Sequence, residues 1–282
     1  MRAPYSEMDP ETLEREYSPS SCVTSTEPYF VAYRERTTQA RESNIYREVS
    51  YGTVADDRID LYQPHDANGS VLIYIHGGYW QMLGREESGF MALDLAASGV
   101  TTAVVEYTLC PTATLMQIVQ QTRRAVRYIA ANATSWRLNP KRVWLAGHSA
   151  GAHLAAMCLL DPTTAACVGG AFALGGVFEL EPLVYTSVND AVRLSVDDAR
   201  RLSPSKLVGP GLKELAVFIG RNETAEFHRQ SQEVAASWAR NDNAAKPCCV
   251  VEDRNHFDLP FDLGDRSTEL GQAVFNALGV AQ

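Results

Sequence analysis

Short, uninterrupted apolar runs separated by longer amphipathic stretches set the pattern of this chain. Val71–Ile75 has no polar residue that would face water, as in a strand buried on both faces. Thr101–Val105 and residues 143–146, 171–174, 215–219 and 249–251 repeat the pattern. Between them, residues 115–136 place Leu115, Ile118, Val119, Val126 and Ile129 on one face at a period of about 3.6 residues, which predicts an amphipathic helix. Residues 223–240 and 267–278 also read as helices. Strands alternating with helices predict an α/β fold with a mostly parallel sheet covered on both faces. Right-handed crossovers then gather the C-terminal strand ends along one edge, where chemistry is expected.

Three stretches depart from that alternation. Residues 45–51 and Arg58–Tyr62 alternate apolar and polar positions, which predicts two half-buried antiparallel strands, with a turn over residues 64–70. Residues 1–43 are polar and interrupted by Pro10, Pro19 and Pro28; they read as an arm with helical patches at 11–17 and 29–41. Residues 178–210 carry Pro182, Pro204 and Pro210 around a short helix at 189–194, and read as a small cap inserted over the active edge. The whole chain, 1–282, is expected to form a single domain.

Composition narrows the functional classes. A net charge of −9 argues against nucleic acid or an anionic membrane as the main partner. No apolar run reaches the roughly 20 residues that span a bilayer, and residues 1–14 lack the apolar core of a signal peptide. A cytoplasmic protein follows as the expectation, with a homodimer left open. The six cysteines form no C-x-x-C pair and read as structural thiols. The histidines are scattered, and no H-E-x-x-H, glycine-rich dinucleotide turn or P-loop appears, so neither a metal nor another cofactor is expected.

Gly147-His148-Ser149-Ala150-Gly151 lies between an apolar run and an alanine-rich helical run. Strand, sharp turn and helix around G-x-S-x-G is the setting of a nucleophile elbow, with Ser149 as nucleophile. His76-Gly77-Gly78-Tyr79-Trp80 directly follows the Val71–Ile75 run, where backbone N–H groups can point into a site. The N–H groups of Gly78 and Ala150 are assigned to an oxyanion hole, with Gly77 or Tyr79 as a third donor. A serine hydroxyl needs a base, and His256 follows the last apolar run, the position from which an imidazole reaches the elbow. His76, His148 and His153 suit packing or supporting roles, and His65 and His228 suit solvent. The carboxylate that orients the base should leave the preceding strand. Glu223 is the first acid there and Glu226 the next, while Asp253 is too close to His256 along the chain.

The chain resembles the serine-dependent kynurenine formamidases (arylformamidases) of the α/β-hydrolase fold. The likeness is carried by L-E-R-E-Y-S-P-S at 13–20, D-R-I-D-L-Y-Q-P at 57–64, H-G-G-Y-W at 76–80 and G-H-S-A-G-A-H at 147–153. It continues in L-V-Y-T-S-V-N-D at 183–190 and E-F-H-R-Q-S at 226–231. Glu223 stands where that family usually has aspartate. The resemblance implies hydrolysis of N-formyl-kynurenine to kynurenine and formate, a step of tryptophan catabolism, by Ser149, His256 and Glu223. A formyl group needs almost no acyl pocket, so Tyr79, Trp80, Tyr185 and Phe257 are candidates to stack on an aromatic leaving group, and Asn189 to bind its polar tail. The same residue types also serve as core filler. Two other readings are a broader esterase or amidase acting on small acyl esters, carbamates or anilides, and a non-catalytic ligand-binding fold. No basic residue stands out as a partner for an amino-acid carboxylate.

Overall fold

A computed structural model describes residues 4–280 except 242 and 245; residues 1–3 of the expected arm and the last two residues of the chain lie outside the described residues. Eight strands form one sheet: β1 (Tyr46–Ser50), β2 (Arg58–Tyr62), β3 (Val71–Ile75), β4 (Thr101–Val105), β5 (Val143–His148), β6 (Gly170–Leu174), β7 (Glu214–Asn222) and β8 (Cys249–Asn255). Their order is β1-β2-β4-β3-β5-β6-β7-β8. β1 pairs antiparallel with β2 and β2 with β4, and every later pairing is parallel.

The helices are α1 (Pro10–Glu16), α2 (Glu27–Arg41), α3 (Ala92–Ala96), α4 (Leu115–Asn132), α5 (Ala150–Leu159), α6 (Pro162–Ala165), α7 (Asn189–Val192), α8 (Val196–Arg201), α9 (Ala225–Arg240) and α10 (Glu269–Ala277). They cover both faces of the sheet, as the split of β3 shows. Val71, Ile73 and Ile75 join one core with Ile118, Val126 and Trp238, from α4 and α9. Leu72 and Tyr74 join a second core with Tyr33, Leu95 and Val274, from α2, α3 and α10. α4 starts where the amphipathic pattern starts because Thr114 and Gln117 form a reciprocal capping box. It stops at Asn132, short of Trp136. Among the described residues no helix is long and apolar enough to cross a membrane.

β2 corrects one expectation. Its alternation predicts a half-wet strand, yet Ile59, Asp60, Leu61 and Tyr62 are all fully buried. Asp60 is the polar residue that misleads. Its carboxylate meets Arg85, and Arg41 Nε lies 3.2 Å away, so the charge is neutralised inside rather than hydrated. Burial still pushes the Asp60 carboxyl pKa up, against the pull of the two arginines.

Residues 178–210 fold into short helical turns that include α7 and α8. The N-terminal segment is tied to the body by specific bonds. The Tyr17 hydroxyl donates to Glu226 Oε2 at 2.6 Å, Thr224 Oγ1 donates to the Glu16 carbonyl at 2.6 Å, and the Tyr33 hydroxyl donates to the Phe257 carbonyl.

Candidate active site

β5 runs into Ser149, which stands at φ 57°, ψ −119° between the strand and α5. That backbone conformation costs a side-chain-bearing residue about 1–3 kcal/mol and persists only where its surroundings enforce it. Here the Ser149 N–H donates to the Leu174 carbonyl of the neighbouring strand at 2.8 Å. The flanking glycines permit the turn. A Cβ on Gly147 would sit 2.1 Å from the Gly151 carbonyl oxygen, and one on Gly151 would sit 2.0 Å from that of Ile75.

The chain leaving β3 forms the opposite wall. Gly78, Tyr79 and Trp80 all have positive φ, so the backbone doubles back beside the elbow. His76 supports this turn. Its ring stacks on Tyr107 at 4.1 Å, its Nε2 lies 3.2 Å from Glu106 Oε1, and the Tyr107 hydroxyl donates to the His76 carbonyl at 2.9 Å. Burial works against the charged Glu106, yet His76 and the N–H groups of Arg85 and Tyr107 outweigh it and hold the carboxyl below its usual range. The Tyr79 hydroxyl donates to the Tyr17 carbonyl at 2.6 Å, joining this wall to the N-terminal segment.

His256 follows β8 and Glu223 follows β7, and the two side chains meet in the interior. His256 Nδ1 lies 2.6 Å from Glu223 Oε2, with side-chain exposures of 4% and 1%. The other carboxylate oxygen of Glu223 accepts the Gly220 N–H at 2.9 Å. Gly175, with φ +48°, makes room for the pair: a Cβ there would sit 2.9 Å from both Glu223 oxygens and 3.0 Å from His256 Nδ1. Of the two acids left open, only Glu223 contacts His256. Glu226 accepts the Tyr17 hydroxyl and pairs with Arg229 at 2.7 Å.

His148 braces the other side of His256. Its Nε2 lies 2.8 Å from the His256 carbonyl oxygen, which can only accept, so Nε2 carries the proton. Burial and the neighbouring His256 hold the His148 pKa well below its ordinary value, and the ring stays neutral. Gly78, Tyr79, His148, Ser149 and His256 line one cavity of about 310 Å³. A larger groove of about 610 Å³ along Trp144, Phe218 and Cys249 shares none of these residues. Among the described residues no three His, Cys, Asp or Glu side chains cluster as metal ligands would.

The BD-FAE family model matches residues 59–168, which run from β2 through the elbow. The chain is 32% identical to a kynurenine formamidase of Salmo salar, covering 98% of both chains. It is also 32% identical to a kynurenine formamidase of Danio rerio, over 96% of this chain and 97% of that one. The chain belongs to the kynurenine formamidase family. Its fold matches that of the carboxylesterase EstE1, cloned from a metagenomic library, with a TM-score of 0.75, 18% identity and 98% coverage of both chains. The protein is a hydrolase of the α/β-hydrolase fold.

Three residues expected at the substrate pocket of this family member lie elsewhere. Trp80 is fully buried, because the positive-φ turn at Tyr79 and Trp80 sends its ring inward to pack edge-on against His153 at 5.0 Å. Tyr185 is 62% exposed and outside the cavity. The Asn189 side chain is committed to its own turn: its amide donates to the carbonyls of Val184 and Leu194, and its oxygen accepts the Leu194 N–H at 2.7 Å. Tyr79 and Phe257 do line the cavity. Much of the remaining wall comes from residues that the sequence pattern does not single out: Tyr17, Pro19, Phe30 and Tyr33 from the N-terminal segment, with Met82 and Leu83 after the β3 turn. The spacing of Phe30 and Tyr33, one helical turn apart, was the available signal.

Proposed function

We propose that this protein hydrolyses aryl formamides of the N-formyl-kynurenine type to an arylamine and formate through a Ser149–His256–Glu223 triad. The observation that carries the reading is the buried contact between His256 Nδ1 and Glu223, with the imidazole sharing one cavity with Ser149. Glu223 keeps the Nδ1 proton in place, leaving Nε2 to act as base. As the Ser149 hydroxyl oxygen attacks the formyl carbon, its proton passes to His256 Nε2. The N–H groups of Gly78 and Ala150, with Gly77 or Tyr79 beside them, stabilise the oxyanion; each such donor is worth about 3 kcal/mol in the transition state. The C–N bond then breaks, and His256 returns the proton to the departing aniline nitrogen. Water, deprotonated by His256, releases formate from the serine ester.

Aromatic walls at Tyr17, Tyr79, Phe30 and Phe257 suit a flat leaving group, and the formyl group asks for little room beside the elbow. In this reading the chain is one domain whose arm, through residues 14–33, and cap, through Ser187 and Val188, shape the cavity over the elbow. A second reading, a broader esterase, draws on the lining itself: among its described residues no Lys or Arg awaits a substrate carboxylate, so small neutral esters fit too. Steady-state kinetics on N-formyl-L-kynurenine and p-nitrophenyl acetate decide between them. The formamide is expected to give the higher kcat/KM; the reverse order would assign the broader esterase. Ser149→Ala should lower turnover of both at least about 1,000-fold.

A further inference from the structure

The cavity contains an acidic group that the hydrolytic chemistry does not use. Glu14, on α1, lines it together with Ser149 and His256. Its Oε2 accepts the Ser187 N–H at 2.9 Å, and its Oε1 accepts the Ser187 hydroxyl. A carboxylate offers about four acceptor sites, so two bonds from one residue leave capacity for another donor. The nearby acids differ in this respect. Glu223 has His256, Glu226 has Arg229, and Glu179 has Arg229 and Lys206. Among the described residues no Lys, Arg or His pairs with Glu14, and no Lys or Arg lines the cavity. The result is a half-buried carboxylate without a Lys, Arg or His partner, in a pocket otherwise lined by aromatic, aliphatic and hydroxyl side chains with His148 and His256.

We propose that Glu14 receives the primary ammonium group of the substrate, so that the site selects amine-bearing aryl formamides; this rests on the formamidase reading above. A clip between α1 and residues 178–210 would need only an acceptor, and a glutamine would serve. The charge adds a preference for a cation; no Lys or Arg lines the cavity and His256 is committed to Glu223, which leaves that cation to the ligand. Ser187 holds the carboxylate with two donors that leave its charge intact, and the backbone N–H of the two remains in Ser187→Ala.

The test compares kcat/KM for N-formyl-L-kynurenine with that for its deamino analogue, 4-(2-formamidophenyl)-4-oxobutanoate, in the wild type, Glu14→Gln and Ser187→Ala. The ratio of the two values isolates the ammonium from any general damage to the cavity. It should favour the amine in the wild type, fall about tenfold in Glu14→Gln, as for loss of a charge-assisted contact, and persist in Ser187→Ala. A ratio unchanged in Glu14→Gln overturns the proposal. So does an equal fall in both variants, which would make the clip rather than the charge responsible. Should neither formamide turn over while p-nitrophenyl acetate does, the formamidase reading fails on its own. The ammonium preference is then read from inhibition of ester hydrolysis by L-kynurenine and its deamino analogue, where a selectivity that Glu14→Gln leaves intact overturns the proposal.

Discussion

Two glutamates three positions apart, Glu223 and Glu226, have different surroundings, and the difference can be measured. Glu223 precedes α9 and turns toward His256, whereas Glu226 lies in the first turn of α9 and faces Tyr17 and Arg229. Glu223→Ala is expected to lower kcat about 1,000-fold or more, because the imidazole loses its orienting partner. Glu226→Ala should leave kcat close to that of the wild type and lower stability by about 2 kcal/mol, because a buried Arg–carboxylate contact and a tyrosine bond go together. Stopped-flow kinetics beside urea denaturation of the two variants checks both. The order of strands makes the placement of Ser149, His256 and Glu223 legible in the sequence, since each leaves a strand at the same edge. Trp80, Tyr185 and Asn189 lie off the cavity because their direction depends on local turns. A positive-φ backbone and a side chain closing on its own loop leave little trace in hydrophobic patterning.

At the scale of elements, the sheet and long helices follow directly from periodicity, and α4 lies where its apolar stripe and capping pair place it. The sequence pattern makes β2 look half-buried because Asp60 resembles a solvent-facing position; its ion pairs come from Arg41 and Arg85, whose proximity is tertiary information. The N-terminal segment was legible as an arm, but its part in the cavity wall was not, since a polar sequence with prolines says little about what it packs against. Tyr17 anchors that segment: its hydroxyl donates to Glu226 and accepts from Gln230 Nε2 at 2.8 Å. Burial, reinforced by the charge of Glu226, pushes its pKa far up, so it remains a donor at any physiological pH. Tyr17→Phe should lower stability by about 1–2 kcal/mol, since it leaves buried polar partners unpaired. Limited proteolysis should also cut the first 30 residues sooner than in the wild type; an unchanged urea midpoint and an unchanged cleavage rate would contradict this account of the anchor.

For the molecule as a whole, acid sensitivity follows from histidines buried in neutral form. Burial lowers the His153 pKa to about 4, and the His148 pKa lies well below its ordinary value. Both rings are uncharged in the folded protein and take up a proton on unfolding below about pH 6.5, so stability is full above that pH and declines as pH falls toward 4. For His153 alone the loss by pH 5 is about 2 kcal/mol. Unfolding free energies from urea titrations at pH 7 and pH 5 should show a fall in the wild type that is about 2 kcal/mol smaller in His153→Gln.

The wall contributed by Glu14, Tyr17, Pro19, Thr26, Phe30 and Tyr33 has a consequence for how such an enzyme can change. The proposed triad and oxyanion donors all lie after Ile75, whereas much of the cavity wall comes from residues before Ala40. On the proposed mechanism, mutation, recombination or exchange of that segment can therefore redraw the range of compounds accepted while the proposed triad and oxyanion donors are inherited unchanged.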